Sequence, residues 1–297
     1  MTDIVLLDGG LGQELTHRAP EKPTPLWGTE VMLNHPGLVQ QVHGDYFAAG
    51  ATIATTNTYA IHHDRLDGTA HEGKFTELLQ NALTEAKAAR NAHGSCRIAG
   101  SIGPLIASYR PDIHPLPDKA IPLYAEVARQ ISADCDLILC ETVASLDHAR
   151  SVLAGAAVAG LPVWMAITVD DRDGTKLRSG EPVADILPIA VAGGAEALLI
   201  NCSSPEAIHQ SIAVLANGTL PFGAYANGFE KITSAFLEDK PTVDALSSRD
   251  LSPQAYADHA LRWIAAGATI VGGCCEVGPA HIAALANAIR DAGHTIV

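Results

Sequence analysis

Three of the six cysteines in this 297-residue chain stand directly behind apolar runs: Cys202 after ALLIN, and the adjacent pair Cys274 and Cys275 after TIVGG. Neighbouring cysteines admit three readings. They can form a strained disulfide with each other, pack as two small buried hydrophobes, or offer two thiolates to one metal with a third ligand from elsewhere. Cys202 supplies that third sulfur if its run ends at the same place. A Cys₃ set suits Zn²⁺, which is soft and tetrahedral, and it leaves a fourth position open, the mark of a catalytic rather than a structural site. Three thiolates make the metal a poor generator of hydroxide but a good host for an incoming thiol, which loses its proton on binding. A free thiol with a pKa near 8.5 is only about 3% ionised at neutral pH, so such a site raises the nucleophile roughly thirtyfold. The expected reaction is attack by a thiolate on an electrophilic carbon.

Two carboxylates, Asp8 in LLDGG and Glu141 in LCETV, lie in equivalent places after apolar runs. Paired carboxylates suit a substrate ammonium, and a glycine-rich run such as DGGLGQEL exposes N–H groups, here around Gly9, Gly10 and Leu11, that suit a carboxylate. The plainer readings are a turn cap for Asp8 and an ion pair for Glu141. DGGLGQEL matches neither the dinucleotide nor the P-loop pattern. Asn201 and Asn227 are candidates to orient ligands or to fix backbone, and the adjacent His62 and His63 read as loop or surface residues.

Positioning these groups requires an element order that brings many run ends to one face. Short β-branched runs at 4–9, 52–58, 97–103, 137–142, 163–168, 197–203, 221–227 and 269–275 read as strands. Helical spacing fills 37–49, 76–93, 118–133, 146–159, 183–193, 205–216, 253–266 and 279–291. Continuous apolar strands imply burial on both faces, as in a parallel sheet covered by helices. Eight such units predict an α/β chain folded as a (β/α)₈ barrel, with an open doubly wound sheet as the competitor. No linker-like stretch divides the sequence, so residues 1–297 are expected to form one domain. The long connections at 10–36 and 59–75 would build the mouth of a site at the C-terminal ends of the strands.

Composition narrows the partners. With 19 basic against 33 acidic residues the formal charge is -14, and no basic stripe is present, which argues against nucleic acid and anionic membranes. The uncharged segment 151–169 approaches spanning length, but Gly160 and Pro162 divide it into a helix end and a short strand. The first residues lack a basic n-region and a cleavage site, so a cytoplasmic location is expected, where a disulfide framework is not. Small molecules are the expected partners, and the oligomeric state is not encoded legibly.

Taken together, DGGLGQEL, PLWGTEVMLNHPGLVQQVHGDYFAAGA, TTNTYA, AGSIGP, LCETV, NCSSP and GGCCEVGPAHI resemble the homocysteine S-methyltransferase family, in order and over nearly the whole chain. The resemblance implies a zinc-dependent (β/α)₈ barrel enzyme that moves a methyl group from an onium donor to homocysteine, giving methionine. It implies Cys202, Cys274 and Cys275 as zinc ligands, Asp8 and Glu141 on the homocysteine ammonium, and N–H groups of Gly9 to Leu11 on its carboxylate. Trp27 and Tyr59 match positions lining the donor pocket, where aromatic faces attract a cation; Trp27 also suits a packing anchor. The betaine-using branch has a tyrosine after the matching glutamate and a long C-terminal extension. Thr142 stands in that place here and the chain stops at Val297, so the shorter S-methylmethionine-using branch is the better likeness.

Overall fold

Eight short parallel strands follow one another around a circle, each succeeded by helices on the outside, in a computed structural model that describes residues 1–238 and 242–297. The strands are β1 (Asp3–Leu6), β2 (Ile53–Thr55), β3 (Arg97–Ile102), β4 (Leu137–Val143), β5 (Val163–Ile167), β6 (Ala197–Asn201), β7 (Phe222–Tyr225) and β8 (Ile270–Val271). Neighbours pair in chain order from β2 to β8, β8 pairs with β1, and a parallel bridge between Leu7 and Ile53 joins β1 to β2 and closes the ring. The expected single-domain (β/α)₈ barrel is the fold. A ninth strand, β9 (Thr295–Ile296), pairs with the start of β1 outside the circle; two residues are too few to leave a periodic signal.

Outer helices α3 (Leu38–Ala49), α5 (Phe75–His93), α6 (Pro117–Ile131), α7 (Leu146–Ala156), α8 (Ile186–Ala192), α9 (Pro205–Leu215), α10 (Pro253–Ala265) and α11 (Pro279–Asp291) occupy the expected places. The two long connections contain helices that the sequence reading left as loops: α1 (Leu11–Arg18), α2 (Gly28–Asn34) and the single turn α4 (His63–Leu66). These pieces are too short, and too interrupted by proline and glycine, to show a sustained 3.6-residue period. Segment 151–169 divides as expected at Gly160, and no helix among the described residues is long and apolar enough to cross a membrane.

The two-residue period of the strands decides what fills the barrel. Leu137 and Leu139 of β4, Trp164 and Ala166 of β5, and Ala197 and Leu199 of β6 join Leu7, Ile53, Ala99, Tyr225 and Ile270 in one interior cluster. The alternate residues, such as Ile138, Cys140, Met165 and Ile200, face the helices in the larger outer core. Trp164 stands in register with Ala197 in that cluster, a large residue beside a small one, as close-packed interiors require. Continuing the same phase two residues beyond Leu139 turns Glu141 inward at the top. Thr55, Ser101 and Tyr225 reach that layer from β2, β3 and β7.

Serine caps place the helices sharply after the strand ends. Ser145, Ser204 and Ser252 each accept a backbone N–H three residues on, and Pro205 and Pro253 follow the last two at the first helical position, where a missing N–H costs nothing. Only Ser203 and Ser204 therefore separate Cys202 from the rigid start of α9.

Candidate functional site

At the C-terminal face of the barrel the sulfurs of Cys202, Cys274 and Cys275 converge to within 4.8 Å of one another. Among the described residues this is the one His, Cys, Asp or Glu set arranged to share a metal. Cys202 and Cys274 are paired as a disulfide and Cys275 Sγ lies 3.9 Å from Cys202 Sγ. No disulfide framework was expected from the sequence. The one pair that forms does not brace the fold; it falls inside the converging set, and its two sulfurs must be reduced before they can act as thiolate ligands. Burial, with Glu276 and Glu141 adding to it, pushes the Cys275 thiol up to about 12. Three soft donors on one side of an open pocket fit a thiophilic divalent metal with a position left for substrate.

The backbone around these sulfurs is tightly determined. Cys202 follows the last residue of β6 with φ +47°. Its carbonyl accepts from Thr168 Oγ1 at 3.2 Å and from Arg178 Nη2 at 3.4 Å, and Arg178 is itself paired bidentately with Asp171. The 272–277 segment is tied to the ends of two strands, Gly273 N donating to Asp8 O and Cys274 N to Ala226 O, at 2.8 and 2.9 Å. Gly9 and Gly10 press against it from below: a Cβ on Gly9 would stand 2.0 Å from the Val277 carbonyl oxygen, and one on Gly10 would stand 2.5 Å from that of Cys274. Gly9→Ala is accordingly expected to cost about 1–3 kcal/mol through overpacking, lowering Tm by roughly 2–4 °C per kcal/mol in a chain of this size. Thermal unfolding of the variant, read beside its circular dichroism, checks this, and an unchanged Tm contradicts the close approach.

Beside the sulfurs lie two buried carboxyls. Asp8 uses both oxygens on one residue, receiving Thr55 N at 2.7 Å and Thr55 Oγ1 at 2.8 Å. Glu141 accepts from Ser101 Oγ at 2.6 Å and from Tyr225 OH at 3.1 Å. Burial pushes Asp8 up to about 8, against the Thr55 bonds and with Glu141 adding to it. Burial likewise pushes Glu141 up to about 7, against Ser101 and Tyr225. Neither carboxyl forms an ion pair among the described residues, so a cation entering the pocket would find two groups with spare acceptor capacity.

Of the N–H groups expected to face a carboxylate, that of Gly9 has no hydrogen-bond partner among the described residues, and the other two are used within the chain. Gly10 N donates to Val277 O and Leu11 N to Gly9 O, both at 2.9 Å. The free N–H groups at the start of α1 are those of Gly12 and Gln13, which have no partner among the described residues. They carry the positive end of the helix dipole toward the same pocket, a ready place for an anion.

The inner cavity, about 110 Å³, is lined by Asp8, Gly9, Gly10, Leu11, Trp27, Tyr59, Glu141, Thr142, Cys202, Cys274 and Cys275, among others. Of the residues singled out from sequence as contacts, Asn201 alone is set behind the wall. Fully buried, it accepts from Thr142 N at 3.0 Å and donates to Thr142 Oγ1 at 3.1 Å. That brace holds Thr142 at φ +58°, where a β-branched residue is strained. Trp27, Tyr109, Thr142 and Cys202, all lining the cavity, have positive φ. Strain of this kind persists where surrounding structure over-determines it, commonly at working sites.

Aromatic rings form one side. Trp27 stacks on Tyr59 and on Phe236, with centroids 6.1 and 6.0 Å apart, Tyr109 meets Phe236 edge-on, and Arg178 lies 5.2 Å from the Tyr109 centroid. Sequence reasoning found Trp27 and Tyr59 but not Tyr109, Phe236 or Arg178, which sit on irregular connections with no period to read. Thr55, Ser101 and Tyr225 were also passed over, although polar residues at the upper ends of strands could have been found by continuing the period-two phase. His62 is buried against the edge of Tyr124 rather than at the surface, and burial pushes it down to about 4. His63 is the exposed one, stacked on Phe75. Asn227 accepts from Phe229 N and braces a turn.

Fold and site define a class: a (β/α)₈ barrel enzyme with a three-thiol centre at the mouth, flanked by a carboxyl pair and an aromatic wall. Comparison with known proteins then makes the assignment particular. A family model described as homocysteine S-methyltransferase matches residues 5–289. The homocysteine S-methyltransferase of Escherichia coli K12 is 32% identical over 95% of this chain and 94% of its own length. YbgG, a homocysteine S-methyltransferase of Bacillus subtilis 168, is 28% identical over 97% and 95%. A selenocysteine Se-methyltransferase of Brassica oleracea is 24% identical over 94% and 87%. The solved metallated form of the Escherichia coli homocysteine methyltransferase MmuM superposes with a TM-score of 0.79 at 27% identity, covering 96% of both chains. The chain belongs to the homocysteine S-methyltransferase family.

Proposed function

We propose that this enzyme transfers a methyl group from a small methyl-onium donor, S-methylmethionine foremost, to the sulfur of homocysteine, using zinc held by Cys202, Cys274 and Cys275. The observation that carries the reading is the convergence of three cysteine sulfurs on a pocket that also holds two unpaired buried carboxyls and a helix N-terminus. Homocysteine offers a thiol, an ammonium and a carboxylate, one group for each. In this reading Asp8 and Glu141 take the ammonium, and the Gly12 and Gln13 N–H groups take the carboxylate. Zinc, when bound, would draw the proton from the homocysteine thiol, so that the nucleophile is present as thiolate at neutral pH. The homocysteine sulfur then attacks the methyl carbon in line with the donor's C–S⁺ bond. That bond breaks with its electron pair staying on the departing sulfur, which leaves as a neutral thioether. No general acid is needed.

Charges cancel as the anionic sulfur meets the cationic donor, so a site walled off from water favours the step. Trp27, Tyr59, Tyr109 and Phe236 supply that wall and a π-face for the onium group. Arg178, bonded to the Cys202 carbonyl, offsets part of the negative charge that three thiolates would gather.

Purified, reduced protein is expected to contain about one zinc per chain and to form methionine from homocysteine and S-methylmethionine. Chelation should abolish turnover and zinc should restore it. Metal-replete protein inactive with every methyl-onium donor would sink the proposal.

A further inference from the structure

Strand β4 breaks its own alternation at the site. Leu137 and Leu139 face the barrel interior, and strict two-residue spacing would send Glu141 and then Val143 the same way. Val143 instead lies in the outer core with Cys140 and Ile167. The cause is one extra residue: Cys140 pairs with Met165 and Val143 with Ile167, so Glu141 and Thr142 together oppose Ala166 of β5. A bulge of this kind re-aims a side chain and leaves the extra residue out of the ladder. That residue is Thr142, fully buried and held at φ +58°.

Its polar groups are satisfied from two strands away. Asn201 Oδ1 accepts from Thr142 N at 3.0 Å and Asn201 Nδ2 donates to Thr142 Oγ1 at 3.1 Å. Asn201 ends β6, and the β5 residue that the bulge opposes is Ala166, small enough for the amide to cross the layer. Glu141 precedes Thr142 and Cys202 follows Asn201, so a single buried amide ties a carboxyl of the pocket to one of its sulfurs. Tyr225, the register partner of Asn201, closes the circuit by donating its hydroxyl to Glu141 Oε2 at 3.1 Å.

We infer that Asn201 is a positioning residue that fixes the spacing between Glu141 and the sulfur set, and through it the length of acceptor the enzyme selects. The inference rests on the methyl-transfer reading above, in which Glu141 meets the acceptor ammonium and the metal its thiol. Homocysteine and cysteine carry the same three polar groups and differ by one methylene. A site separates them only if its carboxyl and its sulfurs are held a set distance apart. Removing the amide frees the bulge and with it the aim of Glu141, while Cys202 keeps its own ties to Thr168 and Arg178.

The test does not depend on turnover. Calorimetry on zinc-loaded protein compares L-methionine with S-methyl-L-cysteine, one methylene shorter, and assays with S-methylmethionine compare homocysteine with cysteine. Wild type is expected to favour the longer member of each pair by roughly tenfold or more, the usual worth of a methylene. Asn201→Ala should keep its zinc, raise the KM for homocysteine roughly tenfold with a smaller change in kcat, and lose most of the preference for the longer ligand. Asn201→Ser, whose hydroxyl falls short of Thr142 but can hold a water in the space left, should behave alike and covers the case in which the alanine variant does not fold. Asn201→Asp keeps an oxygen for Thr142 N and can accept from the Thr142 hydroxyl. Its added charge acts on both members of a pair and cancels in the ratio, so its preference should stay near the wild-type value. A wild type without preference, an unchanged ratio in Asn201→Ala and Asn201→Ser, or an Asn201→Asp ratio as low as theirs overturns the inference. Wild-type protein inactive with every donor would strike the methyl-transfer reading instead, and the binding ratios would still decide the role of Asn201.

Discussion

Cys275→Ala is expected to lower methyl transfer by more than about a hundredfold, since disturbing even the outer partners of a metal ligand costs 10–100-fold, and to leave the purified protein with little bound metal. The backbone should survive the change. Cys275 O accepts from Gly228 N and Cys274 N donates to Ala226 O, bonds that an alanine keeps. The deleted sulfur is the one not paired with another cysteine, so Cys202 and Cys274 remain side by side as a two-sulfur site that holds zinc weakly or closes on itself. Metal analysis and thermal unfolding separate cause from accident. Wild-type protein should gain Tm when zinc is added, because a ligand bound only by the folded state stabilises it by mass action. The variant should start near the metal-free wild-type Tm and gain little. Full zinc content and near-normal turnover in Cys275→Ala would remove the three-thiol centre from the account.

How far this site could be read from the sequence follows from which residues sit on regular elements. Asp8, Glu141, Cys202 and the Cys274 and Cys275 pair stand at or just past strand ends, where β-branched runs stop abruptly, and a parallel barrel brings all such ends to one face. Their convergence could therefore be anticipated once eight strands were counted. The aromatic wall could not. Tyr109, Phe236 and Arg178 lie on connections, and nothing in their spacing says that they meet. The backbone donors were only partly legible for a related reason: α1 begins at Leu11 with no side-chain cap at Gly10, so no sequence signal marks that its first turn leaves the Gly12 and Gln13 N–H groups free as well as that of Gly9. Asn201 was placed among the contacts because it ends β6 beside Cys202. Its side chain instead spans to the strained Thr142, a long-range pairing that local pattern does not encode.

Binding of L-methionine, which carries the ammonium and carboxylate of homocysteine but no ionisable thiol, is expected to tighten between pH 6 and pH 8 in the wild-type enzyme and to lose part of that dependence in Glu141→Gln, with Asp8 keeping the rest. Burial holds the free-site carboxyls up to about 7 at Glu141 and about 8 at Asp8, so below these values both are largely neutral and cannot pair with an ammonium. A bound ammonium favours their ionised forms, so binding releases protons and affinity rises with pH until the ligand's own ammonium begins to deprotonate. A hydrogen bond to a charged group contributes about 1.5–3 kcal/mol, which predicts a roughly 10–100-fold weaker complex for Glu141→Gln at pH 8. The same shift has the opposite sign for stability. A carboxyl whose folded pKa is raised contributes fully below its unfolded value and loses that contribution as pH climbs through the folded one. Ligand-free wild-type protein should therefore weaken relative to Glu141→Gln as pH rises from about 4.5 to about 7, by an amount on the order of 1–3 kcal/mol. The glutamine keeps an oxygen for Ser101 and loses the buried charge, so at pH 8 without ligand it should be the more stable protein and the poorer binder. Calorimetry across pH in buffers of differing ionisation heat counts the protons, and paired Tm measurements test the stability arm. If Glu141→Gln bound methionine as tightly as wild type and with the same pH slope, Glu141 would not be the group that meets the ammonium.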